Sequence, residues 1–370
     1  MNIELIKIPE PPTDLLYLDN RRLRKNDEKY LIESFETPLI GYYNWDYRDT
    51  ENRIKKLYEL GKRLNWNAML DVDWSIEFPE DQRYANIDLN PFSELPEYKQ
   101  LTESKKLEMD HETLAWNASQ FLHGEQGALL VSSQLVSCAP THQAKLYASS
   151  QAFDEGRHVE VFHKYINKRV GYMYPINPYL KILLDKMLSD SRWDLKFIGM
   201  QLIVEGLALA AFESMIQSTN DPLLREICKL TKRDEARHVT FGVNFLEEYI
   251  PLLSKEEVEE RAEFAFEACK VMRERLINTA VPVKFLGITE DKAREILLDD
   301  HVIGDFRKLL FSNIVPNLKR VGLLTEKIRP KFNELGILEY EDLPDSGLVS
   351  LEELNKPLFD KTLNKNEEPR

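Results

Sequence analysis

Between residues 97 and 250, apolar side chains recur at three- and four-residue intervals, in proline-free segments of about 25 to 35 residues. That is the period of a helix with a buried face. The breaks carry stop and start signals: Pro140 in SCAPTHQ, Pro175 and Pro178 in GYMYPINPYL, and Asn220-Asp221-Pro222 in STNDPLL. More helices are predicted over 254–277, where SKEE supplies an N-cap and an acidic first turn, over 289–299, and over 301–333. Residues 1–97 are mixed, with a Pro-rich start, a helix over 50–66, and a loop rich in Asp, Pro and aromatics. Residues 345–370 end polar and charged and read as a flexible tail. Strand-type alternation is scarce. The expected fold is all-α, with a four-helix core over 98–250 behind an N-terminal extension over 1–97. Additional C-terminal helices follow over 251–344.

Two short segments within the core repeat. Asp154-Glu155-Gly156-Arg157-His158 and Asp234-Glu235-Ala236-Arg237-His238 each place Glu and His three residues apart, on one helix face. Such a pair can offer a carboxylate oxygen and an imidazole nitrogen to one metal ion. Glu125 in FLHGEQGALLV and Glu205 in QLIVEGLALAA are lone carboxylates in strongly apolar helix sequence, where an unpaired charge is costly. Each lies thirty residues before the glutamate of a motif, and the midpoints, 140 and 220, fall in predicted turns. Residues equidistant from the turn of an antiparallel helix pair lie at one level; fifteen residues at ~1.5 Å each is about 22 Å. Each hairpin therefore sets a lone Glu opposite a Glu-x-x-His, and two packed hairpins gather four carboxylates and two imidazoles at one height. Two divalent ions would balance the four negative charges, which could not otherwise all stay ionised in a dry core.

Composition adds exclusions. The net charge of -14, from 63 acidic and 49 basic residues, argues against a nucleic-acid surface. Cys138, Cys228 and Cys269 are scattered and odd in number, without a CxxC pair or a disulfide framework. No uninterrupted apolar run approaches ~20 residues, so no membrane span is expected. The N-terminus has acidic residues and prolines where a secretory signal would be apolar, and a cytoplasmic location is expected.

These residues resemble the ferritin-like di-iron carboxylate superfamily, in its oxygen-activating branch: multicomponent monooxygenase hydroxylases, ribonucleotide reductase small subunits, acyl-carrier-protein desaturases and aminobenzoate-type N-oxygenases. The likeness covers about residues 100 to 250. It implies Glu125, Glu155 and His158 on one metal and Glu205, Glu235 and His238 on the other, with the motif glutamates bridging. Asp154 and Asp234 would orient the imidazole of the opposite motif, and Arg157 and Arg237 would neutralise those aspartates. Two iron ions, or a Mn/Fe pair, would activate O2.

The chain departs from each subgroup at a diagnostic position. Phe162 stands where reductase small subunits carry a radical-bearing tyrosine. Leu209 and Ala208 stand where the hydroxylases and the desaturases carry a threonine. Thr231 stands where aminobenzoate N-oxygenases add a third histidine. Phe121, Ala128, Phe162, Ala208, Leu209, Phe212 and Gly242, about one turn from the ligands or further along the same faces, are the expected pocket. Their apolar and partly small character suggests room for an apolar or aromatic substrate, or an acyl chain, and the resemblance implies oxygenation (hydroxylation or N-oxygenation) of an apolar or aromatic small molecule. The rivals are desaturation of a carrier-bound acyl chain and a non-catalytic metal-binding role. No flavin, nicotinamide or iron–sulfur motif is visible, so electrons would come from an external reductase or ferredoxin. Residues 1–97 are left with three candidate roles: a lid, a partner surface or a homodimer contact.

Overall fold

The computed structural model describes residues 16–17, 34–48, 52–275, 277–299 and 301–356. Helix α1 is Arg53–Arg63. The core follows as α2 (Glu103–Cys138), α3 (His142–Arg169), α4 (Pro178–Ser189), α5 (Trp193–Phe197), α6 (Glu205–Ser218) and α7 (Pro222–Tyr249). A seven-residue π-helix, Ile198–Val204, joins α5 to α6 without a break. The chain continues as α8 (Lys255–Arg275), α9 (Ala280–Leu286), α10 (Glu290–Asp299), α11 (His301–Arg320) and α12 (Arg329–Glu334). Leu16–Tyr17 pairs with Tyr172–Met173, a two-residue antiparallel contact on an otherwise helical fold.

The two predicted hairpins form where the turn signals place them. The first turn is Ala139-Pro140-Thr141, and the Thr141 side chain accepts from the Ala144 amide at 3.2 Å to start α3. The second is Thr219-Asn220-Asp221, and Asp221 accepts from the Leu223 amide at 3.0 Å, with Pro222 at the first helical position of α7. α2 packs along α3, α6 along α7, and α3 against α7. The continuous run Trp193–Ser218 is apolar and long enough to cross a membrane by composition, a property hidden by reading its polar interruptions as breaks. Its most apolar 18-residue window is 94% buried within the bundle, as the central helix of a thick core would be.

α8 covers α4 and the π-helix, and α11 covers α6. The stretch expected as one helix over 301–333 is two, divided at Gly322, which takes φ 85°. Part of the segment expected to be a flexible tail over 345–370 is instead docked on the bundle. Ser346 donates its amide to Asn317 Oδ1 at 2.7 Å, Thr240 of α7 donates to Ser346 O, and Leu354 is buried. Gly347 allows this docking, since a Cβ there would fall within 2.8 Å of Val243 and closer still to Arg320. The rest of the expected tail, 357–370, lies outside the described residues.

The second hairpin turn is held by a buried ion pair. Arg169 Nε donates to Asp221 Oδ2 at 2.8 Å, and Tyr165 donates to the same oxygen at 3.0 Å. Asp221 is fully buried and the Arg169 side chain nearly so. Asp221→Ala would strand the guanidinium and remove a cap. A loss of roughly 3–5 kcal/mol in urea unfolding of the metal-free protein is expected.

Candidate metal centre

The turns place all six predicted side chains at one level, and all are buried. They form two groups that share two members: Glu125, Glu155, His158 and Glu235, and Glu155, Glu205, Glu235 and His238. Within each group the donor atoms lie within 4.8 Å of one another. Glu155 faces both imidazoles, with Oε2 3.2 Å from His158 Nδ1 and Oε1 3.2 Å from His238 Nδ1. Glu235 does the same, with Oε1 at 3.1 Å and Oε2 at 3.0 Å. Glu125 Oε2 stands 3.2 Å from His158 Nδ1, and Glu205 Oε1 stands 3.9 Å from His238 Nδ1. Each position is thus outlined by one terminal carboxylate, one imidazole and an oxygen from each of two shared carboxylates.

The outer ring nitrogens cross over between hairpins. His158 Nε2 lies 3.2 Å from Asp234 Oδ2, and His238 Nε2 lies 3.2 Å from Asp154 Oδ2. A ring whose Nε2 donates outward presents Nδ1 inward as a ligand atom. Arg157 Nη2 donates to Asp154 at 2.6 Å and Asp234 at 2.7 Å; Arg237 Nη2 reaches the same two aspartates at 3.1 and 2.8 Å. Asp234 is held well below the usual carboxylate range, against burial, by Arg237, His158 and Arg157 around it. Helix α2 shows no such layer at Glu125 among the described residues; the buried Arg275 of α8 lies beside Gly124, and its pKa falls to about 10 through burial.

A cluster of this kind must neutralise itself. Burial pushes Glu125 up to about 8, and burial with Glu235 and Glu155 alongside pushes Glu205 well above the carboxylate range. Burial opposes ionisation of Glu235 and Glu155 as well, but both are held low, Glu235 by a hydrogen bond from Glu205 and the charge of His238, Glu155 by His238 and His158. Both imidazoles rise well above their usual value, against burial, through the surrounding carboxylates. Protons therefore occupy the place of cations. Two carboxyl and two imidazolium protons carry the positive charge that two divalent ions would bring, and the O- and N-donor set suits iron or manganese. Glu235 Oε1 is buried and, although it faces His158 Nδ1 at 3.1 Å, accepts no hydrogen bond of normal geometry, which leaves it as a donor atom for an ion.

A family model for "P-aminobenzoate N-oxygenase AurF" matches residues 47–322. The chain belongs to the AurF family. Its members are O2-dependent di-metal oxygenases, and the buried carboxylate–histidine centre is its di-metal site. No curated protein matches the chain. Among solved structures, it is similar to an R2-like ligand-binding oxidase with anaerobically reconstituted Mn/Fe cofactor. One variant aligns at TM-score 0.46 and 19% identity, covering 70% of this chain and 94% of that one; another aligns at 0.44 and 18% with the same coverage.

Within this AurF-family centre the expected pocket residues separate. Helix direction alternates, so residues before Glu125 and Glu235 share one end of the site with residues after His158 and Glu205. Phe121, Phe162 and Phe212 meet at that end, with centroids 5.0 to 5.7 Å apart and the last two rings parallel; Ala208 packs in the same cluster. Thr231 lies there too, fully buried, its hydroxyl without a protein partner. Ala128 and Leu209 do not join them, being packed in the main core. Gly242 lines no space either, because a Cβ on it would fall 2.2 Å from Gln201 Cβ.

Four contributors were missed from sequence. Trp66 Nε1 donates to Asp234 Oδ2 at 2.7 Å while Arg157 lies 4.6 Å over its ring, and the neighbouring Asn65 accepts from Arg157. Nothing in RLNWNAML signals this, since the partners are distant in sequence. Gln151 and Gln201, each four residues before a ligand-set glutamate, meet at the opposite end of the site from the phenylalanines; that matched spacing was the available signal.

Metal loading at pH 7 is expected to release about four protons per centre, from Glu125, Glu205, His158 and His238. Because these groups are protonated in the metal-free state, apparent affinity should tighten as pH rises from 6 to 8. Calorimetry in buffers of different ionisation enthalpy reads both quantities.

Proposed function

We propose that this protein N-oxygenates an aromatic amine, with Glu125, Glu155, His158, Glu205, Glu235 and His238 holding two iron ions. The observation that carries the reading is the pair of donor groups sharing Glu155 and Glu235, buried beneath an aromatic end wall, in a chain whose family is described by p-aminobenzoate N-oxygenation. Bound there, the ions would supply the reduction of O2. For a first oxygenation, arylamine, O2, two electrons and two protons give the arylhydroxylamine and water. The electrons are assigned to an external donor of the reductase or ferredoxin class.

The chain's own groups do the remaining work. Asp154 and Asp234 hold the imidazoles through Nε2, and Arg157 and Arg237 bridge the two aspartates and keep them in place. Phe121, Phe162 and Phe212 present flat apolar surface on which an aryl ring can stack, and they exclude water from that end. Trp66 and Asn65 close the layer of aspartates and arginines on its outer side. A cytoplasmic setting is part of the proposal, supported by three buried cysteines that are all unpaired.

The test is a single-turnover assay. Protein loaded anaerobically with Fe(II) is mixed with O2, p-aminobenzoate and a chemical reductant, and products are read by mass spectrometry. Formation of hydroxylamino or nitro product, lost together with bound iron in Glu235→Ala, is the expected result. Two irons per chain with O2 consumed and no oxygenated arylamine would sink the substrate assignment.

A further inference from the structure

The two metal positions are built alike in ligands and unlike in surroundings. Gln151, fully buried on α3, donates through Nε2 to Glu205 Oε1 at 2.9 Å and to Glu155 Oε1 at 3.1 Å. Those are the two carboxylate oxygens that face His238 from outside its own motif. Gln151 Oε1 in turn accepts from Gln201 Nε2 at 2.7 Å. The chemistry forces the amide orientation: two carboxylate acceptors require the NH2 of Gln151, which leaves its oxygen for a donor, and Gln201 supplies one. Gln201 sits in the π-helix directly before Glu205, and Gly242 leaves room for it. Among the described residues, none of the hydrogen bonds to Glu125 or to the His158-facing oxygen of Glu155 comes from an amide; the partner there is His158 itself.

We propose that Gln151, locked by Gln201, is a positioning residue for the metal position defined by His238. It holds Glu205 and Glu155 at fixed angles and so makes the two positions inequivalent. A freely rotating Glu205 would present its oxygens in many arrangements, of which few complete the His238 position. Fixing one lone pair of each oxygen in a hydrogen bond selects that arrangement before an ion arrives. The His158 position, without such a donor, relies on its ion to order Glu125. The same geometry separates polar and apolar duties along the bundle, with amides at one end and phenylalanines at the other. The proposal rests on the di-metal reading of the site.

The experiment titrates metal-free protein with Mn(II), following free ion by electron paramagnetic resonance and heat by calorimetry, for wild type, Gln151→Leu and Gln201→Leu. Melting of each metal-free form is measured in parallel. Wild type should bind two ions. Gln151→Leu should keep one site at wild-type affinity and weaken the other about 10–100-fold. Gln201→Leu, which touches no ligand, should weaken the same site by a smaller factor. Should Gln151→Leu fail to fold, Gln201→Leu decides alone: one site weakened supports the proposal, two unchanged sites overturn it. Equal weakening of both sites, or affinities unchanged while only melting shifts, would show that the glutamines are packing and nothing more. A wild-type protein that binds no ion would instead overturn the di-metal reading, an outcome separate from either of these.

Discussion

The organising constraint is the burial of four carboxylates in an apolar bundle. Each of Glu125, Glu155, Glu205 and Glu235 sits where an isolated charge would cost several kcal/mol, and the fold spends much of its polar inventory on meeting that cost. The response is layered. Imidazoles face the carboxylates, aspartates face the imidazoles, and arginines face the aspartates. Signs alternate outward from the centre, so each layer stabilises the next, and charge leaves the core by pairs of hydrogen bonds rather than by exposure to water.

This layering gives the segment before the bundle a structural meaning. The chain between α1 and the loop that follows supplies Leu64, Asn65 and Trp66, which contact Arg233, Arg157 and Asp234. α1 lies across α3 and α7, the two helices that carry the Glu-x-x-His motifs. Of the roles open to residues 1–97, the described part performs one that sequence did not suggest, completing the outermost charge layer of the centre.

Legibility in the sequence followed the range of the interactions. Helix existence, turn positions and the common level of the six donor residues depend on local periodicity and equal spacing from a turn, which a single chain displays. Pairing of His158 with Asp234 and of His238 with Asp154 was legible through the family resemblance, which sets each aspartate against the imidazole of the opposite motif. Trp66 was not legible, since its bond to Asp234 spans 168 residues with no periodic relation. The pocket was half legible: being one turn from a ligand fixes which end of the site a residue approaches, but not whether it borders space or packing. Phe121 and Phe162 share a cluster at that end, whereas Gly242 is small because Gln201 needs the room. The docked residues 346–354 were missed because their polar composition hides a few buried anchors, Gly347 and Leu354 among them.

A repeated motif does not produce a symmetric centre. If the two hairpins were equivalent in their surroundings, both ends of the site would be the same, and a substrate would have no preferred approach. The breaks in symmetry fall at positions four residues from the ligands. Phe121 precedes Glu125 and Thr231 precedes Glu235 at one end, while Gln151 precedes Glu155 and Gln201 precedes Glu205 at the other. Antiparallel packing sorts these four by helix direction, so two glutamines that are far apart in sequence meet, and the phenylalanines collect where the glutamines are not. The π-helix belongs to the same sorting. Wider winding is costly in an otherwise regular helix and is found mostly where a site requires it; here it carries Gln201 to within 2.7 Å of Gln151, over a glycine that only closely packed helices need. On the proposed function, an apolar aryl ring would be directed to the phenylalanine end by exclusion as much as by attraction, because approach from the other end would have to break the hydrogen bonds that run from Gln201 through Gln151 to the two carboxylates in a dry core.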